Sequence, residues 1–299
     1  MEKQTNVTQL LKNKNITEFM DKFINKKLFR DSKFEFTIKR YNNSENIKHK
    51  NFALLGATMD YYFRYKIAKN FKIEMSQLIA EKSLYLMKLY FFDFSIEEDN
   101  LIYGVILNII KKYKSLNFNE KTFPFLCLGM VDSFYRTGYF DKYNFWLQVN
   151  QFTDYLKNKE VITPLIEDFY SVASSIDKLV FSTKYFKIHH PVYLSPDLTQ
   201  TIGETLIKAD ADMFSYNVLW ELKTTLNTNI PIKYIRQLLM YYWLTKRLEK
   251  EHKLFYFNIV NTRAKNFFTF RISDILNTEP RDFFLKFDSF MRKELKNAI

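Results

Sequence analysis

The strongest constraint on the fold is a series of six long amphipathic segments between residues 52 and 180. Each carries apolar side chains three and four positions apart, the pattern of helices that bury one face. The chain has only 5 Gly and 6 Pro in 299 residues, which predicts few turns and long elements. The predicted helices cover residues 52–71, 75–92, 100–113, 123–138, 143–158 and 162–180.

The pattern changes after residue 180, where short segments bounded by turn residues predict strands. These strands cover residues 184–194, 204–214, 217–225, 255–262 and 267–272, with predicted helices over 232–250 and 282–297. This order predicts an α/β fold, a small mixed sheet flanked by helices. We expect a mainly helical region over residues 1–180, which includes a candidate first core helix near 52–70, and an α/β core over 181–299.

The composition excludes several kinds of site. The single Cys127 and four His residues argue against cysteine- or histidine-based metal binding, so any metal should be a hard cation held by carboxylates. The formal charge of +12 suits a polyanionic partner, because Lys and Arg neutralise phosphates. The N-terminus lacks the apolar segment of a signal peptide, and no apolar window is long enough to span a membrane. The sequence therefore predicts a cytoplasmic protein with no membrane partner.

Two carboxylates lie close together near the end of the predicted strand over 204–214. Side chains alternate across a strand, so Asp210 and Asp212 lie opposite to the face that Ala209, Ala211 and Met213 share. Two neighbouring carboxylates are electrostatically costly without a cation. The spacing favours Asp212 as a metal ligand, with Asp210 as the alternative.

The next predicted strand places Glu221 and Lys223 on one face. If the two strands pair through a turn at 215–217, Asp212 and Glu221 converge at one end of the sheet, with Lys223 one pleat away. Two carboxylates and the backbone carbonyl of Leu222 would supply half of an octahedral Mg²⁺ shell. Such a site suits phosphodiester hydrolysis, in which Lys223 orients or deprotonates the attacking water or stabilises the developing charge.

The spacing of these residues resembles a known signature. Asp212, eight intervening residues and then Glu221-Leu222-Lys223 is similar to the D…(D/E)XK motif of the PD-(D/E)XK nuclease superfamily. The helix that follows carries Gln237 and Tyr241, which is similar to the Q-x-x-x-Y element of its RecB-like clade. The match covers about residues 180–275.

The resemblance implies a restriction-endonuclease-like core and a nuclease that depends on Mg²⁺ or Mn²⁺. It favours DNA over RNA as the substrate, in phage defence or DNA repair. It also implies that the helix face with Gln237 and Tyr241 lies against the metal site. Two alternatives stay open, a catalytically silent nucleic-acid-binding module and an interaction subunit of a defence complex. The sequence also leaves open a homodimer and a complex with a partner protein.

A fourth metal ligand is the least determined part of the site. RecB-like nucleases often carry a histidine on the first core helix, in a G-x-x-x-H context. Here Gly56-Ala57-Thr58-Met59-Asp60 places Asp60 where that histidine would fall, so Asp60 is a hypothetical fourth ligand and residues 75–178 would be a helical insertion. The alternative places the core helix at 163–178, with Glu167 or Asp168 near the site.

Overall fold

The computed structural model describes residues 3–29, 32, 52–75, 78–118, 123–157, 164–181, 192–225, 227, 229–247, 254–262 and 266–297. The helices are α1 (Val7–Leu10), α2 (Lys14–Asp21), α3 (Phe52–Phe71), α4 (Ile79–Tyr90), α5 (Glu97–Lys114), α6 (Phe123–Thr137), α7 (Lys142–Lys157), α8 (Pro164–Phe181), α9 (Ile232–Arg247), α10 (Ile272–Ile275) and α11 (Pro280–Asn297), with a 3-10 turn at Lys26–Phe29. The strands are β1 (Lys3–Asn6), β2 (Val192–Leu194), β3 (Gln200–Ile202), β4 (Thr205–Lys208), β5 (Met213–Ser215), β6 (Val218–Lys223), β7 (Tyr256–Asn261) and β8 (Asn266–Arg271).

The chain is mixed α/β, as predicted, and it forms two compact units. The first, which we call the sheet unit, comprises Met1–Phe36, Lys187–Asn261 and Asn266–Ile299. The second, the helical unit, comprises Thr37–Phe186 and Thr262–Lys265. No helix in the described ranges is both long and apolar enough to cross a membrane.

The helical unit contains α3 to α8, one for each of the six helices predicted between residues 52 and 180. Helix α3 packs on α6 and α8, and α4 and α5 also pack on α6. The rings of Tyr61, Tyr65, Tyr113 and Phe125 are buried together between these helices, with edge contacts such as Tyr65–Phe125 at 5.3 Å. Tyrosine at these positions fills the core and satisfies its hydroxyl locally, since Tyr113 donates to the carbonyl of Tyr61 at 2.9 Å.

The sheet unit is built on a five-stranded mixed sheet in the order β2-β5-β6-β7-β8. Strands β6 and β7 are parallel, and the other neighbours are antiparallel. Helix α9 connects β6 to β7, as a parallel pair requires. The helix buries Leu238, Leu239 and Trp243, and Trp243 meets Phe287 of α11 edge-on at 5.5 Å. Helix α9 is thereby fixed against both β6 and α11.

A second, three-stranded sheet in the order β1-β4-β3 completes the unit. Gly203 has φ +62° at the first position of the two-residue turn between β3 and β4, a conformation that favours glycine. Strand β1 is parallel to β4, with Lys3 opposite Thr205. The Arg236 guanidinium on α9 donates twice to Asp21 of α2, at 2.8 Å each. The N-terminal residues are therefore part of the sheet unit.

The predicted single strand over 204–214 is wrong in one respect, because it is two strands in two different sheets. Strand β4 ends at Lys208, and β5 begins at Met213. Between them the backbone bonds to the preceding loop: Leu198 N–H donates to the Ala209 carbonyl at 2.8 Å, and Ser195 N–H donates to the Asp212 carbonyl at 3.0 Å. Residues 184–191 of the first predicted strand lie outside the described residues, and 192–194 form β2.

Candidate functional site

The hairpin of β5 and β6 brings Asp212 next to the end of β6. Met213 pairs with Trp220 across the hairpin, and a two-residue turn at Tyr216 and Asn217 joins the strands. The Leu222 N–H donates to Asp212 Oδ2 at 2.6 Å, so the carboxylate is held against the β6 backbone. The pairing that the sequence predicted between these two strands is present, and it places Asp212 beside Glu221.

Glu221 is buried, with 2% of its surface exposed. Burial raises the pKa of its carboxyl to about 7, against the lowering effect of Lys223, and the charge of Asp212 with a smaller contribution from Asp210 raises it further. Its Oε2 atom is fully buried and has no hydrogen-bond partner in the described part of the chain. A buried, partnerless carboxylate oxygen beside other carboxylates is a place where a cation would be stabilised.

The Lys223 ammonium is held on three sides. It donates to Glu221 Oε1 and to Gln237 Oε1, the latter at 3.1 Å, and it lies 4.8 Å from the centre of the Tyr234 ring. Burial lowers the pKa of Lys223, but the charges of Glu221 and Asp212 outweigh it, so the pKa is raised. The amine therefore stays protonated in this environment.

Gln237 and Tyr241 project from the same face of α9 and extend this network. Gln237 Nε2 donates to Tyr241 Oη at 2.9 Å, while its Oε1 accepts from Lys223. Burial raises the pKa of Tyr241 well above its usual range, and the charges of Glu221 and Asp210 add to the effect. The Tyr241 hydroxyl is neutral as a result. The structure thus brings together all five side chains that the sequence singled out, Asp212 just before β5, two on β6 and two on α9.

Tyr234 is a residue of this site that the motif-based prediction missed. Its ring forms one wall around the Lys223 ammonium. The signal was available, because Tyr234 precedes Gln237 by three positions and Tyr241 by seven, which is one face of a helix. An aromatic wall limits the directions in which the lysine side chain can point.

Two carboxylate oxygens of the site have no hydrogen bond from a described residue, Glu221 Oε2 and Asp212 Oδ1. Over the described ranges, no three or more His, Cys, Asp or Glu side chains form a metal-binding group. The metal-ligand role of the Leu222 carbonyl stays a prediction. Carboxylate oxygens are ligands that hard cations prefer, so the two unpaired oxygens of Asp212 and Glu221 fit Mg²⁺ or Mn²⁺.

Asp60, the hypothetical fourth ligand, belongs to the helical unit. Its carboxylate accepts from Arg64 Nε at 2.8 Å, and Arg64 is almost completely buried. This ion pair gives two nitrogens of a buried guanidinium a partner, although Arg64 Nη1 has none among the described residues, and it gives Asp60 a structural role. Glu167 and Asp168 lie near the start of α8 in the same unit. A metal-binding role for any of the three remains a prediction.

No known protein family, no curated protein and no solved structure matches the chain. The resemblance to PD-(D/E)XK nucleases therefore rests on the motif residues and stays a prediction.

Proposed function

We propose that this protein is a metal-dependent nuclease with a restriction-endonuclease-like core of the PD-(D/E)XK type, which hydrolyses phosphodiester bonds in DNA. The observation that carries the proposal is the buried Glu221 carboxylate, which has one oxygen without a partner, a second carboxylate beside it and an ammonium group on its other oxygen. Without a ligand, this arrangement of buried charges does not stabilise the fold. Its free-energy cost is understandable when a bound cation and a phosphate neutralise the charges.

Asp212 and Glu221 would hold the cation, Mg²⁺ or Mn²⁺, with the Leu222 carbonyl as a further ligand. When bound, the cation supplies a Lewis acid for a phosphoryl oxygen and lowers the pKa of a water molecule. The Leu222 N–H fixes the Asp212 carboxylate, so one of its oxygens remains directed away from the β6 backbone.

Lys223 contributes a protonated amine next to the carboxylates. It can donate a hydrogen bond to a phosphoryl oxygen or to the attacking water, and its positive charge stabilises the charge that develops on the phosphate. Gln237 holds the amine in place, and Tyr241 in turn holds Gln237. These two residues therefore act as positioning residues for Lys223.

The experiment is a cleavage assay on supercoiled and linear DNA with Mg²⁺, Mn²⁺, Ca²⁺ or EDTA. We expect cleavage with Mg²⁺ or Mn²⁺ only, and a loss of about 10²-fold or more in Glu221→Gln and in Lys223→Ala. Glu204→Gln, which removes an exposed carboxylate of the same unit at the turn between β3 and β4, is the matched control and should cut at the wild-type rate.

Calorimetric titration with Mn²⁺ gives a second readout that does not depend on turnover. Wild-type protein should bind the ion, and Glu221→Gln should bind it at least tenfold more weakly. A folded wild type that binds Mn²⁺ but cuts neither DNA nor RNA would refute the nuclease. Cleavage that survives Glu221→Gln would show that the reaction takes place elsewhere.

A further inference from the structure

The end of the five-stranded sheet opposite to Lys223 carries an open groove of about 650 Å³. Asn217, which precedes β6, lines it, whereas Lys223 ends the same strand. Four aromatic side chains, Phe284 among them, and three cationic side chains dominate the wall. We call it the basic aromatic groove, defined by Tyr242, Lys246, Phe255, Tyr256, Arg271 and Arg281.

The cations of the groove are available for a ligand. Lys246, Arg271 and Arg281 are all exposed, and none of them forms an ion pair with a carboxylate of the described residues. Lys246 Nζ lies 5.7 Å from the centre of the Tyr242 ring, and Arg271 Cζ lies 5.9 Å from that of Tyr256. The groove therefore combines positive charge with aromatic surface.

One carboxylate, Glu279, lies among the described lining residues against these three cations. The excess of positive charge favours an anionic ligand. Guanidinium groups suit phosphate in particular, because their planar donors match its oxygens.

Phe255 presents an aromatic face to solvent from a fixed backbone. Phe255 is 52% exposed. Its N–H donates to the Asn217 carbonyl at 2.9 Å, and its own carbonyl accepts from Ile272 N–H at 2.9 Å. A ring held in this way loses little conformational freedom when a planar group stacks on it. Nucleobases stack on such rings whatever their identity, since every base has a π-face.

Helix α9 and strand β6 connect the groove to the proposed catalytic site. Helix α9 carries Gln237 in its first half and Lys246 near its end, and β6 runs from Val218, the residue after Asn217, to Lys223. At about 3.3 Å per strand residue, six steps along β6 separate the two places by about 20 Å.

We propose that the basic aromatic groove binds a single-stranded segment of nucleic acid, with a base stacked on Phe255 and phosphates on Lys246, Arg271 and Arg281. An unpaired base exposes the face that Phe255 requires, whereas bases within a duplex are already stacked. The position of this segment, about 20 Å from the bond that is cut, rests on the proposed function. Binding in the groove depends only on these six residues and does not rest on the proposed function.

The test is fluorescence anisotropy with a labelled thymidine oligonucleotide in EDTA, in a Glu221→Gln background that excludes cleavage. We expect Phe255→Ala to weaken binding about tenfold. Arg271→Ala should weaken binding and reduce the slope of log affinity against log salt by about 0.7, the value for one phosphate contact on a single strand. Leu285→Ala and Lys293→Ala, exposed residues on α11 outside the groove, are the matched controls and should stay within about twofold.

Several results would overturn the proposal. The Glu221→Gln protein could fail to bind the oligonucleotide at all, or both groove variants could bind it as tightly as Glu221→Gln does. The protein could also bind thymidine monophosphate as tightly as the oligonucleotide, or prefer blunt duplex DNA to the single strand. Thermal unfolding of each variant shows that the fold is kept. If wild-type protein cuts no DNA but Phe255→Ala and Arg271→Ala lose oligonucleotide binding, the nuclease proposal fails and the groove stands. If wild-type protein cuts DNA and both groove variants bind the oligonucleotide as before, the groove proposal fails and the nuclease proposal stands.

Discussion

Replacing Glu221 by Gln should stabilise the metal-free protein. The pKa of the carboxyl rises from 4.5 to about 7 because of burial and the neighbouring aspartates, against the opposing effect of Lys223. A tenfold change in proton affinity corresponds to about 1.4 kcal/mol, so folding with an ionised Glu221 costs about 3 kcal/mol more than folding with a neutral side chain. Glutamine has the size of the neutral acid and avoids that cost.

The dependence on pH has a defined sign. Below pH 4.5 the carboxyl is protonated in both the folded and the unfolded state, and wild type and Glu221→Gln should be equally stable. Between pH 4.5 and about 7 the folded state binds more protons, so the free energy of unfolding of the wild type falls as the pH rises. Above this range the variant should keep the full advantage of about 3 kcal/mol.

Thermal unfolding in EDTA measures the difference directly. At about 2–4 °C per kcal/mol, the transition of the sheet unit should occur about 6–12 °C higher in Glu221→Gln at pH 8. Glu204→Gln, at an exposed position in the turn between β3 and β4, should unfold with the wild type. Equal or lower stability of Glu221→Gln at pH 8, or an advantage that persists unchanged at low pH, would refute the reasoning. Added Mg²⁺ should raise the unfolding temperature of the wild type and leave the variant where it was.

Two further predictions concern ion pairs of the sheet unit. Asp21→Ala leaves the Arg236 guanidinium without both of its hydrogen bonds and should lower the free energy of unfolding in urea by about 1–3 kcal/mol, whereas an unchanged value would show that the pair is dispensable. Burial raises the pKa of Asp288, but hydrogen bonds from Arg292, Trp243 and Arg247 outweigh it and hold the pKa below its usual value of 3.8. The wild type should therefore lose stability as the pH falls through that range, and Asp288→Asn should show a flatter acid limb in the same titration.

The sequence predicted those parts of the fold that carry a local repeat. The helices of the helical unit have long apolar faces, and their periodicity is visible without knowledge of their partners. The alternation along residues 217–225 likewise predicted that Glu221 and Lys223 share a face, and Lys223 meets Gln237 on that side of β6. Spacing along one helix and one hairpin was therefore enough to assemble the candidate site.

The parts that the sequence did not predict depend on contacts between distant segments. The break between β4 and β5 arises because residues 209–212 bond to the loop at 195–198, and a loop has no periodic signature. The segment Lys3–Asn6 is polar throughout, so its pairing with β4 leaves no trace in hydropathy. The basic aromatic groove is equally invisible, since Lys246, Arg271 and Arg281 come from three separate elements.

The pairing of β1 with β4 has a consequence for how the protein is made. About 200 residues separate the two strands in the chain, and the main segment of the helical unit, residues 37–186, lies between them in sequence. At about 5–20 residues per second, β1 waits about 10–40 s on the ribosome before its partner is synthesised. The helical unit can close on itself during that interval, because its helices contact one another in nearly continuous sequence. The sheet unit, by contrast, is assembled last, and its first strand stays available to chaperones until β4 emerges.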